Sequence, residues 1–129
     1  MVELALVAPL LVFVILGIAE IGHGLNSYLT VVNAGRDAAR LGAAGESDDS
    51  SLRELIRVET ARLGNELPLP CSPGEAGICI TRSNSPAPSS VRVQLCYDHR
   101  LIVGLPVIAS DSLRLCSATT MRTPEEASP

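Results

Sequence analysis

The sequence predicts an α+β protein with one long N-terminal α-helix, a second short helix and a small antiparallel β-sheet. Residues 4–19 form an uncharged apolar run, and apolar and small residues then recur at helical spacing as far as residue 44. The last third of the chain alternates apolar and polar residues, which is typical of strands. A chain of 129 residues therefore divides into a helix, assigned to residues 1–45, and one small α+β domain, assigned to residues 46–129.

The apolar run predicts a helix that is retained in the working protein. No basic residue occurs before Arg36 and no small-residue cleavage site follows the run, so it lacks the features of a secretion signal. A helix over residues 2–44 is about 60 Å long at the α-helical rise. Its first half is apolar all round and therefore needs a bilayer, or copies of itself, around it. Pro9 removes one backbone donor, which predicts a kink near the helix start.

Glycine is concentrated along this predicted helix. Each glycine costs about 1 kcal/mol at an interior helix position relative to alanine, so its density indicates close approach between helices, as in small-xxx-small packing. A loosely selected membrane anchor is the alternative interpretation. The candidate packing positions are Gly17, Gly22 and Gly35.

A second helix is predicted from Ser51 to Leu63. Ser51 and Glu54 match the capping-box pattern at its start, and apolar residues follow at helical spacing. Gly64 supplies a natural stop. The helix therefore separates the long N-terminal helix from the strands.

Three strands are predicted at residues 77–82, 91–97 and 113–121, with the apolar segment 101–109 joining the last two. The second strand alternates strictly, so one of its faces should lie against a helix. The residues on that face are Val91, Val93, Leu95 and Tyr97.

The four cysteines all lie in the C-terminal half and predict two disulfide bonds. An even count in a small exported domain favours disulfides. Zinc is the alternative, but no C-x-x-C pair occurs and His99 is the only nearby imidazole. Cys71 and Cys79 bracket a Pro-Gly turn, while Cys96 and Cys116 occupy comparable places in neighbouring strands. The predicted pairs are therefore Cys71–Cys79 and Cys96–Cys116.

The remaining polar residues predict no catalytic site, no cofactor and no metal. Asp98 and His99 are neighbours in a strand and should point to opposite faces. A G-x-S-x-G elbow and a phosphate-binding glycine loop are both missing from the sequence. The basic residues are all arginine, scattered along a chain of net charge −4 with few aromatics, so nucleic acid is disfavoured as a partner.

Three sequence blocks resemble the tight-adherence (Tad, TadE-like) pseudopilins of the type IV pilin superfamily. They are Val2-Glu-Leu-Ala-Leu-Val-Ala-Pro9, Gly17-Ile-Ala-Glu-Ile-Gly22 and Asn33-Ala-Gly-Arg-Asp-Ala-Ala-Arg40, at the spacing of the family pattern. Residues 115–122 resemble the family's closing strand more loosely. The resemblance implies a pilin-like fold in which the N-terminal helix is the polymerisation element.

The resemblance also implies a function. The precursor is cut by a prepilin peptidase in the inner membrane, and the pilus assembly machinery then moves the helix from the bilayer into a bundle of identical helices. The product is an extracellular, adhesive filament of non-enzymatic subunits at the cell surface. Glu3 matches the glutamate proposed to pair with the N-terminal amine of a neighbouring subunit. A carboxylate in an apolar bundle costs several kcal/mol unless it is paired, although Glu3 could instead rest at the membrane interface.

Glu20 has two interpretations. It marks the level where the apolar segment meets water, or it faces Arg36 or Arg40 of another subunit. His23 beside it is expected to be a solvated imidazole. The residues assigned to subunit assembly are therefore Glu3, Pro9, Gly17, Glu20, Gly22 and Gly35.

Two other functions stay open besides the filament subunit. One is a minor pseudopilin that primes assembly at the inner membrane. The other is a single-pass anchored domain whose exposed sheet binds a ligand or a surface. Leucine at the helix glycines discriminates between them, because an anchor tolerates it and a filament core does not.

Overall fold

Two helices and one three-stranded sheet make up the computed structural model, which describes residues 2–45, 48–64, 67, 76–83, 89–101 and 112–124. The strands are antiparallel and lie in the order β1-β2-β3. The predicted α+β fold is confirmed. The elements are α1 (Val2–Ala43), α2 (Asp49–Thr60), a 3-10 turn (Ala61–Leu63), β1 (Gly77–Ser83), β2 (Ser90–Arg100) and β3 (Ser112–Arg122).

Two glycines in the left-handed region follow the two helical segments. Gly45 comes after α1 with φ of +79°, and Gly64 comes after the 3-10 turn with φ of +76°. A residue with a Cβ is strained at such angles, which is why glycine commonly ends helices. Pro9 lies inside α1, and the helix assignment is unbroken through it.

The start of α2 differs from the prediction. The helix begins at Asp49, so Ser51 lies within its first turn and the predicted capping box is wrong. Asp48 occupies the cap position, and its carboxylate accepts a hydrogen bond of 2.6 Å from the Ser50 hydroxyl. The two aspartates bring negative charge to the helix N-terminus, where the helix dipole favours it.

The strands are longer than predicted, and β2 continues to Arg100. The alternation in β2 is confirmed, since its four predicted inward residues are all buried. The same alternation carries on to His99, which is also buried. The predicted segment 101–109 lies outside the described residues except for Leu101.

The hydrophobic core lies between the second half of α1, one face of α2 and the inner face of the sheet. Small side chains on α1 let the sheet approach closely, and larger aliphatic side chains of α2 and the strands fill the space. The fully buried members of this core include Val31, Ala34, Ala38, Ala39, Leu52, Ile56, Val93 and Leu95.

Two glycines of α1 are placed where the helix meets its own sheet. A Cβ added to Gly35 would lie 3.3 Å from Leu95 Cδ1, and one added to Gly42 would lie 3.0 Å from Val91 Cγ1 and 3.2 Å from Leu52 Cδ1. These separations are tighter than ordinary van der Waals contact. In the second half of α1, glycine therefore serves packing within the chain.

Candidate assembly helix

The first part of α1 is an apolar surface that no described part of the chain covers. We call residues 3–19 the rod, and we call α1 from Glu20 onward, α2 and the sheet the head. Eleven large apolar side chains of the rod are between 38% and 75% exposed. They are Leu4, Leu6, Val7, Leu10, Leu11, Val12, Phe13, Val14, Ile15, Leu16 and Ile18.

This exposure cannot persist in water. Burying one such side chain is worth about 1.5–3 kcal/mol, so leaving all of the rod hydrated would forfeit more than the 5–15 kcal/mol that holds a typical domain together. The segment Glu3–Ala43 has the length and composition of a membrane-crossing helix, with a mean hydropathy of 2.7 and 6% of its most apolar stretch buried. The rod is therefore a candidate membrane anchor, and its low burial distinguishes it from the core helix of a soluble protein.

The residues predicted to take part in assembly are spread along the rod and just beyond it. Glu3 is exposed in the first turn of α1, where a carboxylate interacts favourably with the helix dipole. Pro9 is exposed about two turns further on. A Cβ added to Gly17, or to Gly22 beyond the end of the rod, would have no atom of the described residues within 4 Å. These two glycines are open notches in the helix surface, in contrast to Gly35 in the head.

Glu20 lies where the free rod becomes the docked helix, and the head buries it. Its residue is 6% exposed, and its Oε1 lies 3.9 Å from Nε2 of His99, which is 2% exposed. The backbone of Gly24 faces the same imidazole, because an added Cβ would lie 3.8 Å from its Cδ2 and Nε2. Glu20 thus contacts the end of β2 in its own chain, a contact that the sequence analysis did not predict.

The imidazole of His99 is under-satisfied in this contact. Its Nε2 is buried and has no hydrogen-bond partner among the described residues. The 3.9 Å to Glu20 exceeds a hydrogen-bond distance, and the contact is an ion pair only when His99 carries a proton. Most buried polar atoms are hydrogen-bonded. His23 is exposed, as expected for a solvated imidazole, but its ring centroid lies 5.1 Å from that of His99.

Asp98 and His99 point to opposite faces of β2, as predicted. His99 lies on the face that contacts α1, while Asp98 accepts hydrogen bonds of 2.8 Å and 3.2 Å from Nε and Nη2 of Arg114. Hydrogen bonding to Arg114 lowers the pKa of the Asp98 carboxyl below its ordinary value, against a smaller opposing effect of burial. The two residues therefore cannot act together as an acid–base pair.

The cysteines form disulfides where the structure describes them. Cys96 and Cys116 are bonded, with 4.1 Å between their Cα atoms, across directly paired positions of β2 and β3. That predicted bridge is confirmed. Cys79 is also disulfide-bonded, while its predicted partner Cys71 lies outside the described residues. Within the described ranges no three His, Cys, Asp or Glu side chains gather as metal ligands.

One signal for the Glu20 contact was present in the sequence. His99 has the same parity in β2 as Val91 and Tyr97, so alternation alone places its imidazole on the helix face. Which turn of α1 it would meet depends on the register of the helix on the sheet. Sequence periodicity does not set that register.

The architecture defines a class of protein. A long helix has an exposed apolar first part, and its second part packs against α2 and the sheet in a small α+β head. The family model described as "TadE-like protein" matches residues 1–40. Over the rod and most of the docked part of α1, the chain is therefore similar to the TadE-like proteins, a family associated with the Tad pilus. No curated protein and no solved structure gives a significant match.

Proposed function

We propose that this chain is a structural subunit of a Tad-type pilus filament and polymerises through α1. The observation that carries the proposal is the bare rod, with one open notch at Gly17 and a second at Gly22 just beyond its end. The match of the TadE-like model to residues 1–40 supports it. Before assembly the rod lies in the inner membrane, and afterwards it lies among identical rods in a surface filament that serves attachment.

Moving the rod from lipid into a bundle of neighbouring rods depends on close packing between helices, and hydrophobicity does not drive it. Lipid tails are as apolar as leucine, so helices associate in a bilayer through close van der Waals contact at small residues. The glycines of α1 fall into two groups in this respect. The space beside Gly35 and Gly42 is filled by the chain's own side chains. The space beside Gly17 and Gly22 holds no described atom and is available to another helix.

Glu3 supplies a register for this packing. A carboxylate carried into an apolar bundle costs several kcal/mol unless a positive group meets it. Pairing with the N-terminal amine of a neighbouring rod would favour one axial offset over others. Gln at this position keeps the size and removes the charge, so Glu3→Gln should impair assembly without changing the head. The prepilin peptidase and the assembly machinery are the further partners of this pathway.

Glu20 is proposed to contribute from within its own chain. Its contact with His99 fixes the point at which α1 leaves the head. The direction of the rod relative to the head is then set before assembly. This role is compatible with the predicted interface position of Glu20, since the level of Glu20 is where the apolar rod ends.

Electron microscopy of sheared surface material, with mass spectrometry of the fibres, tests the proposal. Fibres composed mainly of this chain are the expected result. Gly17→Leu and Gly22→Leu should remove the fibres while the protein stays in the membrane, because leucine fills both notches. Val12→Leu is the matched control, since it adds leucine to the rod without filling a notch. Gly35→Leu is unsuitable because the side chain would collide with Leu95 in the head.

Other outcomes separate the alternatives. Fibres that contain this chain only in trace amounts would assign it to a minor pseudopilin that primes assembly. Unchanged behaviour of both leucine variants, with the chain monomeric in the membrane, would assign it to an anchored binding domain and refute polymerisation through α1.

A further inference from the structure

The outer face of the sheet, which points away from α1, carries an excess of arginine. Even-numbered residues of β2 and β3 form this face, because their odd-numbered neighbours face the core. The four exposed arginines on it are Arg92, Arg100, Arg114 and Arg122. They are far apart in sequence, which is why the basic residues looked scattered, but period-two alternation and strand pairing bring them to one surface.

Three of these four arginines have no acidic partner among the residues that the structure describes. Arg114 is paired with Asp98, the one acidic residue on the described part of this face. Among the described residues, no carboxylate pairs with Arg92, Arg100 or Arg122. The chain as a whole has a net charge of −4, so the described part of this face is positive on an acidic protein.

The arginines are arranged as two groups rather than as one pocket. Arg92 pairs with Thr120 and Arg122 pairs with Ser90, so Arg92 and Arg122 are diagonal neighbours at one end of the strands. Arg100 lies at the other end, about 26 Å away along β2. A small anion needs convergent donors, whereas charges at this spacing suit an extended ligand.

The surface between the two groups is neutral and small. The outward residues there are Gln94 and Ala118, the disulfide-bonded Cys96 and Cys116, and the ion-paired Asp98 and Arg114. The described part of this face carries no aromatic side chain, so bases have nothing on which to stack. Duplex nucleic acid carries one charge per about 1.7 Å, and a chain of net charge −4 repels so dense a polyanion more than a sparsely charged one.

We propose that the outer face of the sheet binds an acidic polysaccharide, a linear polymer with carboxylates at intervals along an otherwise neutral backbone. The guanidinium groups of Arg92, Arg100 and Arg122 pair with carboxylates, for which their planar donors are well suited. The sugar rings between these contacts lie along the strip that joins the two groups, where the acidic side chain of Asp98 is already paired with Arg114. The biological setting rests on the proposed surface filament, in which this face would be an adhesive surface, and repetition along the fibre would add avidity.

The binding test uses the full chain as a monomer in neutral detergent micelles, so it does not depend on filament formation. Immobilised alginate is the probe, and neutral dextran is the control polymer. We expect retention on alginate only. With three ionic contacts the slope of log K against log salt is about −2, which weakens binding roughly fifteenfold between about 50 and about 200 mM salt.

Variants locate the site. The triple change Arg92→Gln, Arg100→Gln and Arg122→Gln should abolish retention on alginate and leave circular dichroism unchanged, because all three side chains are exposed. The matched control is Arg36→Gln with Arg62→Gln, which removes two exposed arginines from the helical side of the head and should leave binding intact.

Three results would overturn the proposal. They are no binding to alginate at the lowest salt, an equal loss of binding in the helix-side control, and tighter binding to duplex DNA than to alginate. Filaments that form normally in the triple variant, with binding lost, would support both this proposal and the filament function. Loss of fibres in the Gly17 and Gly22 variants has no bearing on monomer binding, so the two proposals fail separately.

Discussion

Alanine substitution should separate the glycines of α1 into two groups with opposite effects. Alanine gains about 1 kcal/mol over glycine in a helix interior. At Gly42 the new Cβ would lie 3.0 Å from Val91 Cγ1 and 3.2 Å from Leu52 Cδ1. Both neighbours are buried, and Val91 is branched at its own Cβ, so neither side chain yields easily. Overpacking of this kind typically costs about 1–3 kcal/mol.

The net effect at Gly42 is therefore a destabilisation of about 1 kcal/mol. That change lowers the Tm by about 4–8 °C in a domain of this size. Gly35→Ala should be milder, since its one tight contact is 3.3 Å from the end of the Leu95 side chain. At Gly17 and Gly22 an added methyl meets no atom of the described residues within 4 Å, so the Tm should be unchanged or slightly raised.

Thermal unfolding of the monomer in neutral detergent, followed by circular dichroism, measures this difference. Gly24→Ala is an internal reference, because its Cβ would lie at an ordinary 3.8 Å from His99. Equal Tm changes for Gly42→Ala and Gly22→Ala would refute the reasoning, since helix propensity alone would then explain both. An unchanged Tm at Gly42 would show that the sheet shifts at little cost.

Three further predictions concern the head. Replacing both cysteines of the Cys96–Cys116 bridge, whose separation is 20 residues, by serine should cost about 3 kcal/mol in urea unfolding; an unchanged midpoint would contradict this. Glu20→Gln and His99→Gln should be non-additive by about 0.5–3 kcal/mol in a double-mutant cycle, because the residues touch; additive effects would show no coupling. Burial and, secondarily, the charge of Asp37 raise the pKa of Glu59 above its ordinary value of 4.5. The folded state therefore binds more protons than the unfolded state, and the free energy of unfolding falls as the pH rises from 4.5 to the raised pKa. Asp37→Asn should partly lower the pKa of Glu59 in an NMR titration and weaken that fall; no change would remove Asp37 as a cause.

Local patterns in the sequence determined the elements and several contacts. The apolar run and the helical spacing predicted α1 almost to its last residue, because a helix needs only local hydrogen bonds and one consistent periodicity. Strict alternation predicted the buried face of β2, and comparable positions in two strands predicted the Cys96–Cys116 bridge. These features depend on neighbours in sequence or on a single strand pairing.

The glycine pattern shows where local inference ended. Gly17, Gly22 and Gly35 all looked like candidates for packing between helices, but the space beside Gly35, like that beside Gly42, is filled by the chain's own side chains, whereas no described atom fills the space beside Gly17 and Gly22. Composition cannot distinguish these cases. The difference depends on which stretch of the helix the sheet covers.

Tertiary structure alone decided one buried contact and one surface. The contact between Glu20 and His99 joins residues far apart in the chain, and it follows from the axial position and rotation of α1 on the sheet. The arginines of the outer sheet face come together only once β2 and β3 are in register. Both are consequences of how elements are placed against one another, and the free energy of that placement comes from many buried contacts at once rather than from any residue's local preference.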